Sequence, residues 1–236
     1  MPPDFLVRSA TSRGVPLPAV PGPEVRVKPR LRGVLHQYAF FGSLGSGTLL
    51  VLLAATTRAS VAAAVYSTSV SALLGVSALY HRVTWTAPTR RRMRRLDHAM
   101  IFLLIAGTYT PVGLLVLHGM LAAVVLAVVW GGAVAGIVLE LVWRGAPRWL
   151  GGVVYLALGW VAVVAMPQLF ARLGVVGGSL IVVGGLAYSA GAAVYALRRP
   201  DPAPAVFGYH EVFHLLVIVG AAFHFLAISL FAVPIG

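Results

Sequence analysis

The chain has 236 residues, of which 59% are hydrophobic before its 26 glycines are counted and only 10% are charged. Soluble domains carry about 25% charged residues with which to cover a core, so a soluble globular protein is excluded and an integral membrane protein remains, in keeping with a mean hydropathy of +0.91. The net charge of +12 does not describe a nucleic-acid surface, because the arginines lie between apolar runs, where they set membrane topology. Cysteine is absent, which excludes disulfides, thiolate nucleophiles and iron–sulfur clusters. Lys28 is the only lysine and lies outside every apolar run, so a Schiff base within the membrane is excluded as well.

In chain order, residues 1–32 hold Pro2, Pro3, Pro16, Pro18, Pro21, Pro23 and Pro29 among arginines, without an apolar core. They read as a disordered Pro/Arg-rich cytoplasmic tail and not as a signal peptide. Residues 33–236 read as one all-α integral membrane domain, a seven-transmembrane helix bundle. Its apolar stretches lie near 33–56, 60–83, 97–117, 120–142, 149–168, 174–197 and 209–234. Each approaches the ~20 residues that cross ~30 Å of hydrocarbon at 1.5 Å per residue. Arginine-rich breaks separate most of them, and the break at 118–119 is the least marked. Glycines at near-helical spacing, Gly42, Gly45 and Gly47, then Gly184, Gly185 and Gly191, are expected at close helix contacts.

Basic residues alternate in number between successive loops. The tail carries six, the loop after the second stretch six, and the loops after the fourth and sixth two each, against Arg58 and Arg172 alone on the other side. The positive-inside rule therefore predicts a cytoplasmic N-terminus and an outer C-terminus. A multi-pass protein of the cell membrane, with membrane lipids as its partners, is the expectation.

In so apolar a bundle the polar residues carry the information. His210-Glu211-Val212-Phe213-His214 places two histidines at i and i+4, on one helix face, the spacing with which a single helix grips one Zn²⁺. Ser77 and His81 share a face in the same way near the end of the second stretch. Asp97 opens the third, where it would either cap the helix or serve the site. The end of stretch two, the start of three and the start of seven lie on the cytoplasmic side, so His81, Asp97, His210 and His214 come to one depth. His98 points away around the helix from Asp97. His118 falls in an outer connection, and His224, about 15 Å deeper than His214 by helical rise, is expected to be a hydrogen-bonded core residue. His36 opens the first stretch on the same side as the site. Glu140 and Arg144 suit an interfacial ion pair at i and i+4.

Ser77-x-x-x-His81, Arg95-Leu96-Asp97-His98 running into Ile105-Ala106-Gly107-Thr108-Tyr109-Thr110-Pro111, and Phe207-Gly208-Tyr209-His210-Glu211-Val212-Phe213-His214 with Phe223-His224-Phe225 beyond resemble the hemolysin III family, as does Arg32-Gly33-x-x-His36. That family is the bacterial branch of the progestin and adipoQ receptor group, related more distantly to the alkaline ceramidases. The resemblance covers roughly residues 29–236. It implies a seven-helix bundle with a cytoplasmic-side Zn²⁺ held by His81, His210 and His214, and it sets Asp97 and Ser77 beside that ion. At His98 the sequence departs from the receptor branch, which has an aromatic there.

The expected function is that of a zinc-dependent membrane hydrolase of lipid amide or ester bonds, involved in membrane-lipid homeostasis. Three imidazoles leave the ion an open fourth position, where it acidifies water and polarises a carbonyl. Asp97 would then take a proton, and Ser77 would hydrogen-bond the water or the developing oxyanion. The H-E-x-x-H string also suits an intramembrane metalloprotease with Glu211 as base. Those enzymes take an aspartate from an Asn-Pro-Asp-Gly segment, however, and this chain has no asparagine. The remaining alternative is non-enzymatic: a hemolysin-like pore, receptor or membrane sensor with structural zinc.

Overall fold

The computed structural model describes residues 28–143 and 148–236. They form helices joined by short turns: α1 (Val34–Leu52), α2 (Thr57–Arg82), α3 (Ala87–Pro111), α4 (Gly119–Val142), α5 (Arg148–Gly159), α6 (Ala162–Leu197) and α7 (Tyr209–Ala227). A π turn, Val112–Val116, extends α3, and Ile228–Ala232 with Val233–Ile235 extends α7. Among the described residues the only strand-like pairing is an isolated bridge between Ala203 and Phe207. Five helical stretches are long and apolar enough to cross a membrane: Thr57–Arg82, Ala87–Val116, Gly119–Val142, Leu150–Leu197 and Tyr209–Ile235. Large apolar side chains such as Leu52, Met120, Val142, Val164 and Val175 point outward, as lipid-facing positions must. The expected tail lies outside the described residues as far as residue 27.

Consecutive helices pack as neighbours from α1 to α4, α6 packs along α7, and α7 returns to α1. First and last helices are thereby adjacent, which is what brings the α7 histidines against the end of α2. Small residues permit the closest approaches. A Cβ on Gly107 of α3 would stand 2.0 Å from Ser69 Oγ of α2, and one on Gly184 of α6 would stand 2.3 Å from the His224 ring of α7. Gly47 likewise faces Ser67, and Gly191 lies against α7, whereas Gly42, Gly45 and Gly185 face open space. Close contact therefore explains only part of the glycine pattern.

Two boundaries differ from the sequence reading. Helix α3 starts at Ala87 instead of 97, because Pro88 in its first turn pre-sets helical φ and the arginines that follow are good helix formers. The run Arg90 to Arg95 is thus an extension of the helix, and Asp97 lies in its third turn. The helix-cap reading of Asp97 is therefore corrected: no unsatisfied amide end is there for it to cap. The fifth stretch is interrupted as well. Helix α5 ends at Gly159, and α6 begins at Ala162 and bends at Gly174, whose φ of 68° suits glycine. The Tyr109 hydroxyl bridges the first break. It donates to the Gly159 carbonyl (2.7 Å) and accepts from the Ala162 amide (2.6 Å), giving both backbone ends a partner.

Candidate metal centre

The site is built where α2, α3 and α7 meet. Helix α7 starts because the Glu211 carboxylate accepts the Gly208 N–H (2.9 Å), one of the amides that a helix start leaves without an intrahelical partner. That start sets His210 and His214 one turn apart on the face turned toward α2. Near the end of α2, His81 is buried and points back at them. The ring centroids are 4.7 Å apart for His81 and His210, 5.0 Å for His81 and His214, and 4.5 Å for His210 and His214. One nitrogen from each lies within 4.8 Å of the other two, close enough to hold a metal ion.

The arrangement fits a cation better than a hydrogen-bonded core. His81 Nε2 and His210 Nε2 face each other at 3.2 Å. Two nitrogens at the usual ~2.0–2.1 Å from one tetrahedral zinc stand about 3.3 Å apart. His214, 2% exposed, keeps a buried Nδ1 that has no hydrogen-bond partner, a cost that cores rarely carry without a compensating ligand. Three nitrogen donors, in a chain without cysteine, suit a borderline-soft divalent ion.

Around the three imidazoles stand the other residues singled out above. Asp97 Oδ2 is 3.9 Å from His81 Nε2. The Ser77 hydroxyl is buried one helical turn before His81 on α2, so Ser77, Asp97 and the histidines gather at one place. His36 of α1 is stacked flat on His214, with centroids 3.8 Å apart and planes 7° from parallel. Its part is therefore to hold the orientation of the His214 ring. His98 lies apart, half exposed, with Nδ1 3.8 Å from Glu140. His118 is exposed, and His224 is half-buried with Nε2 3.1 Å from the Ile181 carbonyl.

Glu211 is not free for chemistry. It is 1% exposed, and Arg32 Nε donates to one carboxylate oxygen while the Gly208 amide donates to the other. A base must be able to take a proton from its substrate, and this carboxylate is already engaged on both oxygens by helix start and guanidinium. Arg32 is the residue that sequence reasoning missed as part of the site, since 179 positions separate it from Glu211. Its only signal was its place in Arg32-Gly33-x-x-His36. The Arg30 and Leu31 amides also donate to the carbonyls of Ala205 and Val206 (both 3.1 Å), tying the residues before α1 to the turn that leads into α7. The expected partner of Glu140, Arg144, lies outside the described residues; Glu140 instead accepts from the Tyr155 hydroxyl at 3.2 Å.

Comparison with known proteins identifies the family. The chain is 30% identical to "Hemolysin-3 homolog" of Bacillus subtilis (strain 168) over 205 residues, covering 86% of this chain and 93% of that protein. It is 33% identical to "Hemolysin-3" of Bacillus cereus over 179 residues, covering 76% and 78%. A shorter match, 46% identical over 56 residues, links 22% of the chain to 24% of "Heptahelical transmembrane protein ADIPOR2" of Oryza sativa subsp. japonica. The family model described as "Haemolysin-III related" matches residues 25–225. With the apolar helices, the buried histidine cluster and a match over most of its length, the chain belongs to the haemolysin-III-related family of membrane proteins.

Proposed function

We propose that this protein is a zinc-dependent membrane hydrolase of lipid amide or ester bonds, with His81, His210 and His214 holding the ion. The observation that carries the reading is the convergence of these three imidazoles, two of them buried, from two helices, with the Asp97 carboxylate 3.9 Å from His81. Bound Zn²⁺ supplies Lewis acidity at neutral pH. The chain's own residues do the rest. His36 and the α7 start keep the imidazoles oriented. Asp97 accepts at Oδ2 the proton of the water that attacks the carbonyl carbon, and passes it to the nitrogen or oxygen that leaves as the acyl bond breaks. Ser77 Oγ–H holds Asp97 in place before attack and is near enough to donate to a developing oxyanion.

Seven crossings and a cytoplasmic N-terminus belong to the same reading. The 19 residues of α1 rise about 28 Å, close to the ~30 Å of hydrocarbon. The 48 residues from Leu150 to Leu197 would extend about 72 Å if straight, more than two bilayer cores, and their breaks divide them into two crossings. The sixteen-to-two distribution of basic residues sets the site on the cytoplasmic side.

A second reading is a sensor or receptor with structural metal, and the position of Asp97 favours it. At 3.9 Å from His81 Nε2, Asp97 is close enough to become a fourth ligand and close the site. One variant separates the readings. Full-length wild type and Asp97→Asn are assayed for zinc content and for fatty-acid release from a panel of ceramides and esters in liposomes. The hydrolase reading expects Asp97→Asn to keep its zinc and lose turnover by ~10²–10⁴-fold. Loss of zinc in the variant, with no wild-type turnover on any lipid, replaces it with the structural-metal reading.

A further inference from the structure

A second feature lies outside the metal centre. On the outer side of the α1–α2 pair runs an open groove of about 1100 Å³, above the ~300–1,000 Å³ usual for small-molecule sites. Phe40, Leu44 and Val51 form one wall, and Thr68, Ala72 and Val76 line the other. The α2 wall extends from Ala64 to Val83, about 28 Å by helical rise and so most of a bilayer core. Its serine hydroxyls are spent on the helices themselves: Ser43 donates to the Phe40 carbonyl (2.7 Å) and meets Ser71 (2.8 Å), and Ser67 donates to the Gly47 carbonyl. What the groove presents to an occupant is therefore mainly hydrocarbon.

One end of the groove is charged. Arg82 lines it there, and beside it partial burial, together with the charges of Arg82, Arg32 and Arg90, holds the Lys28 ammonium below its ordinary value. Among the described residues, no carboxylate pairs with Arg82 or Lys28. The described residues include four acidic side chains, and each is placed elsewhere: Asp97 beside His81, Glu140 with Tyr155, Asp201 with the Tyr209 amide, and Glu211 with Arg32 and Gly208. A long apolar trough ending in unneutralised cations matches a molecule with a hydrocarbon chain and an anionic head. A second copy of this chain is a poor occupant, because it would bring the same cations together in a protein of net charge +12.

We propose that the α1–α2 groove seats an acyl chain of an anionic phospholipid whose phosphate rests on Arg82 and Lys28. The site is independent of any hydrolysis at the histidines. Full-length protein, purified in detergent and stripped of lipid, is titrated with phosphatidylglycerol and with phosphatidylcholine of identical chains, and bound lipid is counted by native mass spectrometry. Two headgroup-level cations predict phosphatidylglycerol binding tighter by roughly 20- to 30-fold at low salt. Lys28→Gln with Arg82→Gln should erase that preference, and Lys28→Gln alone should remove about fivefold of it, which keeps the test valid if the double variant does not fold. Thr68→Phe, which fills the trough from an exposed position, should weaken both lipids and leave their ratio intact. Equal wild-type affinity for the two lipids overturns the proposal. So does a preference that survives the charge substitutions, unchanged binding in Thr68→Phe, or dimer crosslinks through position 68.

Discussion

Replacing Arg32 by alanine removes the ion pair between the segment before α1 and the helix that carries His210 and His214. Glu211 is 1% exposed and Arg32 21%, so the substitution leaves a carboxylate buried without its cation. Removing one partner of a buried pair costs about 3–5 kcal/mol. Part of that is offset here: Glu211 keeps the Gly208 amide and sits in the first turn of α7, where the helix dipole favours an anion by ~0.3–1 kcal/mol. The net expectation is a loss of about 2–4 kcal/mol, seen as a fall in Tm of roughly 5–10 °C for a body of this size. Glu211→Gln should cost less, about 1–2 kcal/mol, because the amide still accepts from Gly208 and the charge left behind belongs to the more exposed arginine. Both variants loosen the first turn of α7, so both should weaken metal retention through His210. Thermal unfolding in detergent, with metal content measured on the same samples, tests the asymmetry. An Arg32→Ala protein with wild-type Tm and metal content refutes the reasoning. A Glu211→Gln protein as stable and metal-loaded as wild type but inactive would restore Glu211 as a catalytic base.

Two further outcomes follow from the site and the charge pattern. Purified wild type should carry one zinc per chain, and His81→Ala, His210→Ala and His214→Ala should each lose it by elemental analysis; full metal in His81→Ala would pass the third position to Asp97 or His98. A C-terminal alkaline phosphatase fusion should be active and a C-terminal GFP fusion dark, and the reverse would overturn the orientation set by the sixteen-to-two basic asymmetry.

Much of the site was legible before any fold was known. His210 and His214 share a face whatever α7 packs against, because helical periodicity is local, and the same holds for Ser77 and His81. Helix existence was equally legible, since ~20-residue apolar runs have no other way to satisfy their backbone in lipid. Boundaries were less so. Hydropathy marks where a helix leaves the hydrocarbon and is blind to where it ends, so the arginine run before Asp97 read as a loop although Pro88 and five arginines continue α3 into water.

By itself, the sequence determined that this is a helical membrane protein of one family and that its polar residues gather near one set of helix ends. The tertiary structure alone decided which of them touch. His36 faces His214, Arg32 reaches Glu211, and Asp97 stands beside His81 instead of capping a helix. It also left Arg82 and Lys28 without a carboxylate among the described residues, at the end of an apolar trough. These contacts depend on how each helix is rotated about its axis and which neighbour it meets. That rotation is set by close approaches such as Gly107 on Ser69 and Gly184 on His224, between residues far apart in the chain. Spacing along one helix fixes a residue's face, but only packing against another helix chooses what that face meets.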